Sequence, residues 1–137
     1  MAVMSIDHAN IRTSDVTGTL AFFSEVLGME ASIPPGATSL EQAGWLLDSK
    51  GNAVIHVAGT DVEYPTDGWR PTITEQRADT GRLHHVALSC TGYDEMRPRI
   101  YATGLEVAEN ALDSIGLRQI FVTEPNGVLL ELNFWGD

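Results

Sequence analysis

"LHHVALSC", Leu83–Cys90, reads as a strand, and the direction of its two histidines decides how the rest of the chain is organised. Successive side chains of a strand point to opposite faces, so His84 shares a face with the apolar Val86 and Leu88, and His85 lies with Ala87 and Ser89. The apolar face expects a helix against it, which makes His84 a structural residue, packed beside the helices or capping a hydrogen bond, and leaves His85 for chemistry. A helix does follow in "YDEMRPRIYATG", stopped by Gly104, although Pro98 is expected to delay its start or kink it. Next come the strands "LEVAEN", "LRQIFVT" and "VLLELNF", the last two flanking the turn signal "EPNG".

The same order occurs one module earlier. "SIDHANIRTSDV" reads as a short strand ending in a turn, with Ile6, Ala9 and Ile11 as its apolar members. Ser14 or Asp15 caps a helix carrying Leu20, Phe23 and Leu27 at helical spacing, and Gly28 ends it. The strands "EASI", "GWLLD" and "AVIHVA" follow, the last two joined across "SKGN". Spacing supports a duplication: His8 precedes Gly28 by 20 positions and His85 precedes Gly104 by 19, while His8 precedes His56 by 48 and His85 precedes Glu131 by 46. The expected class is α+β, two paired βαβββ modules of about 3–58 and 82–135 forming a single domain over 1–137 around a partly open, barrel-like cavity. The linker between them, about 59–81, is rich in Gly, Pro, Thr and Asp, and its length suits a cover over a site.

Parity places the candidate ligands together. His8 and Asn10 lie opposite Ala9 and Ile11; His56 lies with Val54 and Ala58, opposite Ile55 and Val57; Glu131 and Asn133 lie with Leu129, opposite Leu130, Leu132 and Phe134. A carboxylate inside "VLLELNF" is costly to bury unpaired. Three imidazoles and one carboxylate suit a divalent first-row ion, with Fe, Mn, Co, Ni and Zn all admissible. Four protein ligands in an octahedral shell leave two adjacent positions, which a substrate with two vicinal oxygens can fill.

Bulk properties exclude other classes. With 8 Lys+Arg against 19 Asp+Glu, the 137-residue chain carries a formal charge of −11 and offers no basic stripe for nucleic acid or an anionic membrane. No run approaches the roughly 20 apolar residues of a membrane span, and the N-terminus has no basic region followed by an apolar stretch. The single cysteine, Cys90, excludes an intrachain disulfide, suits a reducing cytoplasm and reads as a small core residue.

These segments resemble the vicinal oxygen chelate superfamily, which includes glyoxalase I, methylmalonyl-CoA epimerase, extradiol dioxygenases, and fosfomycin and bleomycin resistance proteins. "DHANIRTSDVTGTLAFFSEVLGM" is similar to the family's opening strand and helix, "HHVALSC" to the strand opening the second module, and "VTEPNGVLLELNF" to the closing "DPxG" hairpin, with Glu124 in place of the usual Asp. The resemblance implies metal ligands at His8, His85 and Glu131, and at His56 a position that varies among members. It also implies a site built within one chain or across a homodimer.

The expected activity is a metal-dependent isomerase, epimerase or lyase acting on a small carbonyl compound through a metal-stabilised enolate. Similarity to the glyoxalase site implies that Glu131 moves from ligand to general base; His56 is a second catalytic candidate, and Glu41 is a more distant base. The runner-up is an extradiol ring-cleaving dioxygenase with Fe(II) on His8, His85 and Glu131, where His56 assists proton transfer. A third reading is a non-catalytic drug-binding resistance protein. Candidate substrate contacts are Asn10, Asn133 and the linker's Trp69, with Trp45 and Trp135 as pocket or core aromatics. If Thr123 pairs with Val128, Arg118 falls near Asn133 on the cavity face, where it could hold an anionic group; otherwise it is a surface arginine.

Overall fold

The computed structural model describes residues 1–63, 65–66, 68 and 80–136. They divide into two compact units, Met1–Glu75 and Gln76–Asp137. In the first, Thr13 ends strand β1 (Ala9–Thr13) and its Oγ1 accepts the Asp15 backbone N–H. Asp15 then caps helix α1 (Val16–Ala21), its carboxylate accepting the Gly18 N–H at 2.9 Å. The helix widens into a π-helical turn, Phe22–Val26, so that the adjacent Phe22 and Phe23 are both buried. Gly28, at φ +75°, supplies the left-handed residue that ends it.

Three strands complete the unit: β2 (Glu30–Ser32), β3 (Ala43–Leu47) and β4 (Ala53–Gly59). The sheet order is β1-β4-β3-β2, with β1 parallel to β4 and the other pairs antiparallel. A parallel pair needs a crossover connection, and α1 with the β2–β3 hairpin provides it. Ile11, Leu46, Ile55 and Val57 form the buried face of this sheet. Leu20 of α1 lies directly on Gly44, where a Cβ would sit 2.6 Å from both of its δ-methyl groups.

The second unit repeats the plan with β5 (Val86–Cys90), helix α2 (Tyr93–Ala102), β6 (Val107–Leu112), β7 (Leu117–Thr123) and β8 (Leu129–Trp135). Its order, β5-β8-β7-β6, is the same, and β5–β8 is again the parallel pair. Ile120, Val122, Leu130, Leu132 and Phe134 are almost wholly buried, each contributing about 1.5–3 kcal/mol of apolar transfer. Tyr93 on α2 and Phe134 on β8 pack with their rings nearly perpendicular, centroids 5.2 Å apart. Glu109, on β6, accepts hydrogen bonds from Tyr93, Arg97 and Tyr101, fastening the helix to the edge strand. The result is α+β, two four-stranded mixed sheets, each open and not closed into a barrel.

Four expectations need correction. β5 begins at Val86, so His84 and His85 precede the strand, and His84 is exposed, not packed beside a helix; of its two expected roles it keeps the hydrogen bond, Nδ1 lying 2.9 Å from Nδ1 of His85. Ile6 likewise lies before β1 and is fully solvent-facing. Pro98 stands inside a helix that already begins at Tyr93, so it does not delay the start. Finally, Thr123 pairs with Leu129 and not with Val128. That slip of one residue moves a side chain to the other face of a sheet, and Arg118 therefore sits opposite Phe134 with its guanidinium 3.8 Å from the centroid of the Tyr93 ring.

Candidate metal centre

In the first unit, the face of the sheet opposite the buried one carries Asn10, His56, Trp45 and Ser32 in one row across four strands. His8, just ahead of β1, stacks on His56 with centroids 3.6 Å apart and planes 12° from parallel. Trp45 stacks on His56 at 4.7 Å. Burial, and then the neighbouring His8, hold the His56 pKa below its ordinary value. Its imidazole is therefore neutral at neutral pH, the state that offers a lone pair. Nδ1 of His8 pairs with the Asp7 carboxylate at 2.6 Å, which fixes the ring and leaves Nε2 as the donor, the usual carboxylate–histidine support of a metal ligand. An open hollow of about 840 Å³ adjoins this row, lined by Trp45, Leu47, Val54, His56, Ser32 and Asp7 among others.

In the second unit, Nε2 of His85 lies 3.0 Å from Oε2 of Glu131. Glu131 is opposite Ala87 on one side and Phe121 on the other, and the next row is Ser89, Asn133, Gln119 and Asn110. Beyond it come Trp135, Leu117 and Leu112, so the face grades from donors through amides to an apolar end. Trp135 is exposed there. Cys90 faces the other way, and burial pushes its thiol up to about 11, leaving it protonated and inert. The Glu124 carboxylate accepts from the backbone N–H groups of Asn126 and Val128 and from the Asn126 amide, closing the "EPNG" turn. Its substitution for Asp is thus a matter of turn geometry.

The two pairs occupy the same position of each unit. Ala9 is paired with Ile55, and Val86 with Leu130. His8 precedes Ala9 by one and His56 follows Ile55 by one; His85 precedes Val86 by one and Glu131 follows Leu130 by one. Among the described residues, no three His, Cys, Asp or Glu side chains gather into a ready-made cluster; the donors come in twos, one pair per unit. Imidazole and carboxylate are donor types that suit a divalent ion, although the stacked rings of His8 and His56 must turn before both lone pairs can meet one ion. Two ligands at about 2.1 Å from one ion and at right angles lie about 3.0 Å apart, the separation seen between His85 and Glu131.

The other sequence candidates fall in different places. Asn10 and Asn133 lie on the donor faces of their sheets; Arg118 does not, and Trp69 lies outside the described residues. Glu41 is exposed ahead of β3. Sequence reasoning missed Gln119, whose amide binds Glu131 at 2.7 Å and Asn133 at 2.9 Å. The signal was its position between Leu117 and Phe121 on one parity, readable only with the correct hairpin register.

The fold is that of a duplicated βαβββ protein with one pair of candidate donors in each unit. The sequence profile of the Glyoxalase/Bleomycin resistance protein/Dioxygenase superfamily matches residues 5–132, and the chain belongs to that superfamily. It is 23% identical to virulence protein STM3117 of Salmonella typhimurium over 97% of this chain and 85% of that protein. A glyoxalase/dioxygenase from Nostoc punctiforme superposes with a TM-score of 0.69 at 15% identity, covering 100% of this chain and 99% of the other. A variant of the fosfomycin resistance protein FosX from Listeria monocytogenes, complexed with Mn(II) and a dihydroxypropylphosphonic acid, superposes at 0.65 with 20% identity, covering 98% and 94%. Members of the superfamily thus include proteins that hold a divalent metal. Among the described residues, no helix is long and apolar enough to cross a membrane.

Proposed function

We propose that this chain is a divalent-metal-dependent enzyme of the glyoxalase type, an isomerase, epimerase or lyase of a small carbonyl compound, with His8, His56, His85 and Glu131 as ligands. The observation that carries this reading is the matched offset of the two pairs about the first paired residues of β1–β4 and β5–β8. A bound divalent ion supplies Lewis acidity toward a carbonyl or its neighbouring oxygen. Glu131, moving from ligand to base through the oxygen directed at His85, is the group to take a proton from the adjacent carbon. His56, held neutral and stacked against Trp45, is the second proton handler. Asn10 and Asn133 flank the donors and orient the substrate's polar groups, and the hollow beside Trp45 and Leu47 takes its apolar part. The natural assembly in this reading is a homodimer.

One observation favours the ring-cleaving dioxygenase as a second reading. His56 is enclosed between His8 and Trp45, which suits a proton-transfer role and leaves His8, His85 and Glu131 as a two-histidine, one-carboxylate set. Metal analysis and Co(II) absorption of purified protein test both. The leading reading expects one ion per chain, lost in Glu131→Gln, together with turnover of carbonyl substrates and no oxygen uptake. Oxygen uptake coupled to catechol cleavage after anaerobic Fe(II) loading overturns it in favour of the dioxygenase. Failure to take up Mn(II), Co(II), Fe(II), Ni(II) or Zn(II) overturns both and leaves a drug-binding module.

A further inference from the structure

The two oxygens of Glu131 have different surroundings. Oε2 faces His85, whereas Oε1 accepts from Nε2 of Gln119 at 2.7 Å. The same nitrogen donates to Oδ1 of Asn133 at 2.9 Å, and Oε1 of Gln119 accepts from Nδ2 of Asn110 at 2.8 Å. The direction of this relay is fixed by chemistry. An ionised carboxylate only accepts, so the nitrogen end of the Gln119 amide must face Glu131 and its oxygen end the donor on Asn110. Backbone pairing sets the three amides in one row, Asn110 opposite Gln119 and Gln119 opposite Asn133. Gln119 is only 9% exposed, so water competes weakly for these bonds.

We propose that Gln119 is a positioning residue that keeps Glu131 a one-oxygen ligand. The inference rests on the reading of Glu131 as a ligand. A free glutamate can close on an ion with both oxygens, as it does at calcium sites. Here Oε1 must first leave Gln119, so the relay keeps the second oxygen out of the shell and a coordination position open for a substrate oxygen. Ser89 and Asn133, in the row beside Glu131, then border the substrate and not the ion.

The test uses Mn(II) as probe and water-proton relaxation per bound Mn(II) as readout, on the full chain. Six-fold coordination with four protein donors leaves about two positions for water, and a two-oxygen Glu131 leaves about one. Relaxivity in Gln119→Leu is therefore expected to fall by about half at full Mn(II) occupancy. Asn110→Ala, at an exposed position, loosens Gln119 without touching Glu131 and lowers relaxivity by a smaller amount; it carries the test should Gln119→Leu not fold. Equal relaxivity in wild type and variant, with Mn(II) bound, overturns the positioning role alone. Absence of Mn(II) binding by wild type, or undiminished binding by Glu131→Gln, overturns the ligand reading and the positioning role with it.

Discussion

Replacing Glu109 by Gln tests how α2 is held to β6. One carboxylate there accepts from Arg97 Nε at 2.8 Å, Arg97 Nη2 at 2.9 Å and Tyr101 at 2.7 Å, and also from Tyr93. The Arg97 hydrogen bonds, then those of Tyr93 and Tyr101, bring the Glu109 pKa down from 4.5 to about 2. Taken whole, that shift corresponds to about 3.4 kcal/mol of preference for the ionised form in the fold. The side chain is 27% exposed, and solvent screening reduces the contribution to about 1–1.5 kcal/mol. A folded pKa below the unfolded one stabilises above the unfolded value, and the contribution is lost as pH falls from 4.5 toward 2. Urea denaturation at about pH 7 is therefore expected to show Glu109→Gln less stable by about 1–1.5 kcal/mol, with more than half of that difference gone by about pH 3. A difference of the same size at both pH values, or none at neutral pH, refutes the electrostatic fastening of the helix.

Gly44→Ala forces a methyl group into Leu20, 2.6 Å from two of its carbons, and should lower stability by about 1–3 kcal/mol in the same denaturation assay. Pro98→Ala restores a helical N–H in the middle of α2; a rise of about 1–3 kcal/mol is expected, read as a higher melting temperature. Trp45→Ala removes one side of the His56 stack and should weaken Co(II) affinity by about ten-fold in calorimetric titration, the size of effect expected for a residue that orients a ligand. If sites are shared across a dimer, mixing His8→Ala with Glu131→Ala restores one intact site per mixed dimer, and Co(II) binding returns to about half the wild-type level per mixed dimer. Within one chain, mixing restores nothing.

The repeated order of elements was legible because hydrophobic alternation and glycine stops are local signals. Gly28 and Gly104 end their helices at φ +75° and +72°, as their spacing from His8 and His85 suggests. The faces of Ile11, Val57, Leu130 and Leu132 also followed from parity alone. Parity failed where it depended on pairing: "EPNG" marks a hairpin but does not say whether Thr123 meets Val128 or Leu129, and Arg118 and Gln119 exchange faces on that choice. His84 was misplaced for a related reason, since alternation was carried into residues that the parallel pairing with β8 never reaches.

By itself, the sequence determined the duplicated βαβββ plan and the residue types able to bind a metal, because both are written in periods of a few residues. Only the tertiary structure decided which neighbours those residues have. The stack of His8, His56 and Trp45, the contact of His85 with Glu131, and the amide row behind Glu131 all depend on strands paired across dozens of positions. A one-residue change of register leaves composition and spacing untouched and turns every side chain of the strand to the opposite face.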